Sequence, residues 1–166
     1  MTRVVGIDPG LASTGWGLVD FDGSRYHYIK HGVITTPPNT DTGLRLRTIF
    51  GELQAVIADY GPQEAGVEKL YFARNTSSAL PVAEARGVIM LTLALAEVPA
   101  FEYPPQAIKQ SIVGEGRADK QQVQELVRVL LGLAEIPRPD HAADALAAAI
   151  CHIAHRPLQE QLANVQ

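Results

Sequence analysis

The first part of the chain has the pattern of three short strands separated by tight turns, which restricts the fold more than any other feature. Apolar, aromatic and β-branched residues recur in segments 3–8, 14–21 and 25–34, as is typical of strands. The connections at 10–13 and at Asp22-Gly23 are short enough to join antiparallel neighbours. The sequence therefore predicts that the fold begins with an antiparallel meander.

Helices and strands alternate after the meander. Apolar residues recur at helical spacing from Leu46 to Tyr60, which predicts a helix over about 42–60. The later predicted elements are a strand ending at Glu68, a buried helix over about 79–96, a strand at 100–103, and helices over about 105–113, 119–131 and 140–155. Pro81 fits the buried helix if that helix begins close to it, because proline suits a first turn. This order predicts an α/β fold with a mixed five-stranded sheet flanked by helices on both faces.

The size and composition of the chain fit one domain. Its 166 residues, 46% of them hydrophobic, suffice for a single sizeable core. We expect this domain to span 1–156 and residues 157–166 to form a flexible tail. We expect neither a bilayer span, which needs roughly 20 apolar residues, nor a secretory leader. The single cysteine, Cys151, suits a reducing compartment, so a cytoplasmic location is predicted.

The formal net charge of −4 argues mildly against a nucleic-acid partner, because lysine and arginine drive phosphate binding. However, basic side chains outnumber acids between residues 69 and 128. Divalent cations bound by an acidic cluster would also neutralise part of the negative charge. The net charge therefore does not exclude a polyanionic substrate.

Three acids lie where separate elements of the predicted fold can meet. Asp8 ends the first strand, Glu68 ends the fourth, and Asp144 lies in a helix that can fold back over the strand ends. Convergent carboxylates are the ligands that a pair of divalent cations needs to hydrolyse a phosphodiester bond. Each acid also has a simpler explanation: a turn cap, an exposed strand end and a solvated helix acid, respectively. Their joint placement favours an acidic, metal-binding site.

Two neighbours of Asp144 are further candidates, because residues three and four apart share one face of a helix. His141 can bind a metal or transfer a proton, with a satisfied histidine at the helix start as the alternative. Asp140 follows Pro139 directly before the helix. An N-cap role is therefore favoured for Asp140 over metal binding.

An ordered set of short motifs runs from residue 4 to residue 155. The motifs are Gly6-Ile7-Asp8-Pro9-Gly10, Thr14-Gly15-Trp16-Gly17, Val67-Glu68, Asn75 with Ser78-Ala79-Leu80, Ala85-Arg86-Gly87-Val88, Phe101-Glu102-Tyr103, Lys109-Gln110, Val113-Gly114-Glu115-Gly116, Lys120, Val127-Arg128 and Ala142-Ala143-Asp144-Ala145-Leu146-Ala147. Any single motif is weak, since the first also opens actin-like kinases. The ordered set resembles the bacterial RuvC Holliday-junction resolvases.

This resemblance implies an RNase H-like fold and a homodimer that resolves four-way DNA junctions by paired, metal-dependent nicks in recombination and repair. It implies two Mg²⁺ or Mn²⁺ ions per active site, and the branch-migration proteins RuvA and RuvB as partners. The family's catalytic, metal-binding acids fall on Asp8, Glu68 and Asp144. A fourth position, aspartate in many members, falls on His141. Histidine has one negative charge fewer than aspartate at this position. It therefore shifts the ion preference of the site toward transition ions such as Mn²⁺.

The loop after Glu68 combines aromatic rings with basic and amide side chains. Aromatic rings can stack on unpaired bases, while arginine contacts phosphates or base edges. The family's junction aromatic falls on Tyr71, and packing against the sheet edge is the alternative for both Tyr71 and Phe72. Lys109 and Lys120 match basic residues near the scissile phosphate in the family. The predicted DNA-binding residues are Tyr71, Phe72, Arg74, Asn75, Lys109 and Lys120.

The helix predicted over about 79–96 is apolar nearly all round. Its composition fits a core helix and an isologous dimer contact equally well. The resemblance favours both roles at once.

Two other functions stay open. The motif from Gly6 to Gly10 also suits an ATP-binding actin-like or sugar-kinase lobe, although the chain lacks the second lobe and second phosphate loop of those proteins. The other alternative is a non-catalytic module that binds four-way DNA without nicking it.

Overall fold

The strands form one mixed sheet. The computed structural model describes residues 1–70 and 76–163. The strands in these ranges are β1 (Thr2–Asp8), β2 (Ser13–Phe21), β3 (Tyr26–Thr35), β4 (Glu64–Glu68) and β5 (Ala100–Tyr103). Their order in the sheet is β3-β2-β1-β4-β5. β2 pairs antiparallel with β1 and β3, whereas β4 runs parallel to β1 and β5. The predicted meander and mixed sheet are confirmed.

The helices are α1 (Thr42–Tyr60), α2 (Thr76–Leu95), α3 (Pro105–Val113), α4 (Lys120–Leu130) and α5 (Asp140–Ala163). The predicted bounds of α1 and α3 are confirmed. α2 begins at Thr76 and contains Pro81 in its second turn, so the predicted start beside the proline is wrong. A proline at this position removes one backbone hydrogen bond of the helix, and its ring crowds the carbonyl four residues earlier. No helix in the described ranges is both long and apolar enough to cross a membrane.

α5 continues to Ala163, into the segment predicted as a tail. The domain boundary at residue 156 stays a prediction.

Side chains alternate between the two faces of β1, and each face has its own core. Val5 and Ile7 belong to a core covered by α1 and α2. Val4 belongs to a second core, covered by α3, α4 and α5. Since successive side chains point to opposite faces of a strand, Asp8 lies on the same face as Val4 and Gly6. The acid at the end of β1 therefore faces α5.

Glycines let α5 approach the sheet at backbone distance. A Cβ atom on Gly6 would lie 1.8 Å from the carbonyl oxygen of Ala145, and one on Gly15 would lie 1.9 Å from that of His141. The strand glycines that face α5 are Gly6, Gly15, Gly17 and Gly66. Because no side chain fits between helix and sheet at these points, the first turn of α5 lies directly against the strand ends.

A buried polar network holds the middle of α5 on the sheet. The ring of His152 is fully buried and shares hydrogen bonds of 2.6 Å with Glu64 Oε2 and 2.8 Å with the Tyr103 hydroxyl. Arg156 Nε lies 2.9 Å from the same Glu64 oxygen. These directional contacts determine the register of α5 on β4 and β5.

Candidate metal centre

Two parallel strands bring the first two acids together. β1 and β4 are adjacent and parallel, with Ile7 opposite Val67, so Asp8 and Glu68 follow at the same edge of the sheet. The first turn of α5 lies over this edge because of the close contact at Gly15. That turn carries His141 and Asp144, which share one face of the helix.

The four predicted site residues form one cluster. Asp8 Oδ2 lies 2.8 Å from His141 Nδ1. Asp8, His141 and Asp144 each offer a ligand atom within 4.8 Å of the others, which is close enough for one metal ion. Glu68 adjoins the group through its carboxyl contact with Asp8. Asp8 is buried, Glu68 and Asp144 are half-buried, and His141 is exposed.

Burial raises the pKa of all three carboxyl groups of this cluster. Burial, reinforced by the charge of Asp144, raises the pKa of Asp8 to about 7. Burial and the neighbouring Asp8 raise the pKa of Glu68 to about 8. The pKa of Asp144 is also raised, chiefly by burial, although the Lys120 ammonium opposes the shift. The cluster is therefore short of positive charge, and a divalent cation would supply it.

The donor set fits a hard divalent cation. Carboxylate oxygens suit Mg²⁺ and Mn²⁺, and imidazole nitrogen is accepted better by Mn²⁺ than by Mg²⁺. His141 lies at the exposed side of the cluster.

Without metal, the protein is expected to lose stability as the pH rises from about 4.5 to about 8. The pKa of Glu68 is higher in the folded state than in the unfolded state, so its contribution is complete below about pH 4.5 and is lost through its folded pKa of about 8. Glu68→Gln removes this loss and should make the metal-free protein about 1–3 kcal/mol more stable than the unaltered chain at pH 9, with little difference near pH 4.5. Urea unfolding in EDTA at the two pH values measures the difference. An equal effect of the substitution at both would contradict the assigned pKa shift.

Two lysines predicted to contact DNA lie beside the cluster. A cavity of about 230 Å³ is lined by Lys109 and Lys120 together with Glu68 and Asp144. Lys120 Nζ lies 3.5 Å from Asp144 Oδ2. The lysine is the first residue of α4, whose start is stabilised by a capping box between Asp119 and Gln122. A negatively charged group that enters the cavity thus meets both lysines.

Asp140 does not form the cap predicted from the sequence. It is the first residue of α5, and the carbonyl of Pro139 accepts the hydrogen bonds of the first turn. The carboxylate of Asp140 instead accepts hydrogen bonds from Gln124 at 3.1 Å and Arg138 at 2.7 Å. It also lies 3.3 Å from Lys120 Nζ, outside the group of described residues that can share a metal.

The other four predicted DNA contacts lie outside the described residues; they are Tyr71, Phe72, Arg74 and Asn75. The chain leading to them starts at Lys69, whose N–H donates to the carbonyl of Tyr103.

The residues that position α5 were missed in the sequence. Gly15 contributes no ligand, yet it lets the backbone of His141 reach β2. His152 lies eight residues after Asp144 in α5. It anchors this helix to β4 through its hydrogen bond with Glu64. The available signal was the presence of several glycines in strand interiors, which is typical of close backbone approach.

Known proteins share both this sequence and this fold. The family model described as crossover junction endodeoxyribonuclease RuvC matches residues 4–152. The crossover junction endodeoxyribonuclease RuvC of Treponema denticola is 53% identical over 150 residues, which cover 90% of this chain and 84% of that protein. The protein of the same name from Heliobacterium modesticaldum is 52% identical over 148 residues, covering 89% and 91% of the two chains.

A solved structure places the same fold on DNA. Thermus thermophilus RuvC in complex with a Holliday junction substrate superposes with a TM-score of 0.91 at 34% identity, covering 96% of this chain and 97% of that one. The family match extends over most of the chain and includes all four residues of the cluster. The chain therefore belongs to the RuvC family of crossover junction endodeoxyribonucleases.

Proposed function

We propose that this chain resolves four-way DNA junctions by hydrolysing phosphodiester bonds at the cluster of Asp8, Glu68, His141 and Asp144. The observation that carries the proposal is the convergence of three carboxyl groups and one imidazole on a single sheet edge. Two lysines line the adjoining cavity. A site of this kind combines ligands for cations with donors for a phosphate.

Two Mg²⁺ or Mn²⁺ ions are the cofactors that this cluster suits best. Asp8, Glu68, His141 and Asp144 would hold the ions. When bound, such ions supply activation of a water nucleophile and stabilisation of the departing oxygen. The raised pKa of Asp8 and Glu68 supports this role, because protons are held there in the absence of cations.

The substrate would approach from the side of the lysines. Lys109 and Lys120 lie at the same cavity as Glu68 and Asp144, so a phosphate between them would also reach the metal ligands. The aromatic loop that follows Glu68 would contact the opened bases of the junction through Tyr71 and Phe72, assisted by Arg74 and Asn75. RuvA and RuvB would deliver the junction, and the reaction would take place in the cytoplasm.

The test is a nicking assay on a synthetic four-way junction, run in parallel in Mg²⁺ and Mn²⁺. Paired nicks on opposed strands, absent on a linear duplex with the same arms, are the expected result. Binding without nicks in either ion would instead identify a non-catalytic junction-binding module.

His141→Asp tests the fourth ligand in the same assay. A third carboxylate beside Asp8 favours the harder ion, so the ratio of the rates in Mg²⁺ and Mn²⁺ should rise several-fold, on the order of tenfold. An unchanged ratio would remove His141 from the ligand set. Thermal unfolding of both proteins in EDTA serves as the control for folding.

The outer face of α2 suits a second copy of this chain. Leu80, Leu91 and Leu95 are 64%, 55% and 65% exposed, although they lie on a helix whose other side is buried. Exposed apolar side chains on one helix face are typical of an interface. An isologous dimer through this face would present two identical sites to a two-fold symmetric junction.

Leu91→Glu is expected to convert the dimer into monomers, because two symmetry-related carboxylates would be buried against each other. Light scattering should show half the native mass, and nicks on the two strands should become uncoupled. The matched control is Val129→Glu on α4, where the valine is 53% exposed. A native mass for Leu91→Glu would rule out this face as the dimer contact.

A further inference from the structure

A buried threonine fastens the end of β3 to the turn that follows Asp8. Thr36 is 5% exposed. Its N–H donates to the carbonyl of Ala12 at 3.0 Å, and its hydroxyl donates to the carbonyl of Leu11 at 2.5 Å. Because Leu11 and Ala12 connect β1 to β2, Thr36 is held rigidly on the edge of the sheet that carries the acids.

This threonine also orients an arginine. The hydroxyl oxygen of Thr36 accepts a hydrogen bond of 2.8 Å from Nε of Arg45, in the first turn of α1. Arg45 is half-buried, so its side chain is constrained along its length. The bond uses one of the five guanidinium donors and leaves the four on the two terminal nitrogens.

The partner of Arg45 is neutral, whereas five other arginines of the fold have a carboxylate partner. Carboxylates pair with Arg3, Arg86, Arg128, Arg138 and Arg156. No acid within the described residues lies at ion-pair distance from Arg45. No carboxylate of the described residues neutralises the guanidinium of Arg45, so its charge is available to an anion outside the chain.

Sheet geometry gives the approximate distance from Thr36 to the cluster. Asp8, Gly15 and Val33 lie in one row across β1, β2 and β3, and Thr36 is three residues beyond Val33. A strand spacing of about 4.8 Å and a rise of about 3.3 Å per residue put Thr36 on the order of 14 Å from Asp8. With a rise of about 3.4 Å per base pair, this distance corresponds to a few nucleotides of DNA.

We infer that Arg45 forms a binding site for a backbone phosphate of the substrate, a few nucleotides from the bond that is cut. The planar guanidinium fits two phosphate oxygens, and Thr36 aims it before the DNA arrives. The inference rests on the proposed function, since it takes the DNA to lie across the edge that carries the acids. It adds a contact on the α1 side of the sheet to the lysines on the α5 side.

Junction binding at several salt concentrations tests the inference. Fluorescence anisotropy in EDTA separates binding from cleavage. Arg45→Ala should weaken binding roughly tenfold at 0.1 M salt and reduce the slope of log K against log salt by about 1. Thr36→Val retains the charge but loses its orientation, so affinity should fall by a smaller factor while the slope persists.

Arg25→Ala is the matched control. Arg25 is exposed in the turn between β2 and β3, at the opposite edge of the sheet, and its removal changes the net charge equally. It should leave both affinity and slope unchanged. An equal effect of Arg25→Ala and Arg45→Ala, or a native slope in Arg45→Ala, would overturn the inference.

Arg45→Lys is measured instead if Arg45→Ala does not fold. The lysine keeps the charge but cannot bind two oxygens in a fork, so a native slope with several-fold weaker binding is expected. Native affinity in this variant would overturn the inference. Nicking by the unaltered chain is scored separately, so its absence would overturn the proposed function without affecting the result for Arg45.

Discussion

Glu68→Gln is expected to reduce cleavage of a four-way junction at least roughly a thousandfold while junction binding stays close to native. The amide has the shape of the carboxyl group but lacks its charge, so one metal ligand is lost. Several kcal/mol of transition-state stabilisation depend on such a ligand, and each 1.4 kcal/mol is about a factor of ten in rate. Binding should persist because the proposed DNA contacts are made by Lys109, Lys120 and the loop that follows Glu68. Single-turnover cleavage and anisotropy measure the two effects.

Glu64→Gln provides the control on the same strand. Glu64 lies on the same face of β4 as Glu68, but its partners are His152 and Arg156. This substitution should lower the stability of the fold and leave the cleavage rate of the folded protein within a few-fold of native. Persistent cleavage by Glu68→Gln, or an equal loss in both variants, would contradict the assigned role of Glu68.

Gly15→Ala should cost about 1–3 kcal/mol of folding free energy or more, and most of the cleavage activity as well. The added Cβ would lie 1.9 Å from the carbonyl oxygen of His141. Since both atoms belong to the backbone framework, either α5 or β2 must shift, and overpacking of this kind destabilises a core. A shift of the first turn of α5 moves His141 and Asp144 away from Asp8. Urea unfolding and Mn²⁺ titration calorimetry measure the two consequences.

Gly51→Ala is the matched control for this substitution. Gly51 lies in α1, and a Cβ atom added there meets nothing within 4 Å. Alanine should stabilise the helix by about 0.5–1 kcal/mol, since glycine is a poor helix former. Native metal affinity in Gly15→Ala would show that the contact between α5 and β2 does not position the cluster.

The fold was largely predictable because local patterns are strong in this chain. Turn residues and β-branched runs predicted the meander, and helical periodicity predicted α1 with its observed bounds. The predicted start of α2 beside Pro81 was wrong, because the helix begins at Thr76. The predicted cap at Asp140 was wrong because its carboxylate has other partners. Its carboxylate bonds to Gln124, Arg138 and Lys120, which come from other positions in the chain.

The acids were predictable as candidates because strand ends and helix faces follow from periodicity. Whether they meet depends on the distance between α5 and the sheet, which no local pattern specifies. Each small residue of α5 and each strand glycine, considered alone, is compatible with many arrangements of helix and sheet. Only the folded chain shows that they oppose one another at Gly6 and Gly15.

The sequence by itself determined the order of the elements, the four candidate site residues and the family, because each depends on residue identity and spacing along the chain. The tertiary structure alone decided that His141 bonds to Asp8, that Lys109 and Lys120 share a cavity with Glu68, and that Thr36 orients Arg45. These contacts join residues far apart in the chain. Their distances depend on how closely backbones pack, and the packing is set by the whole core at once.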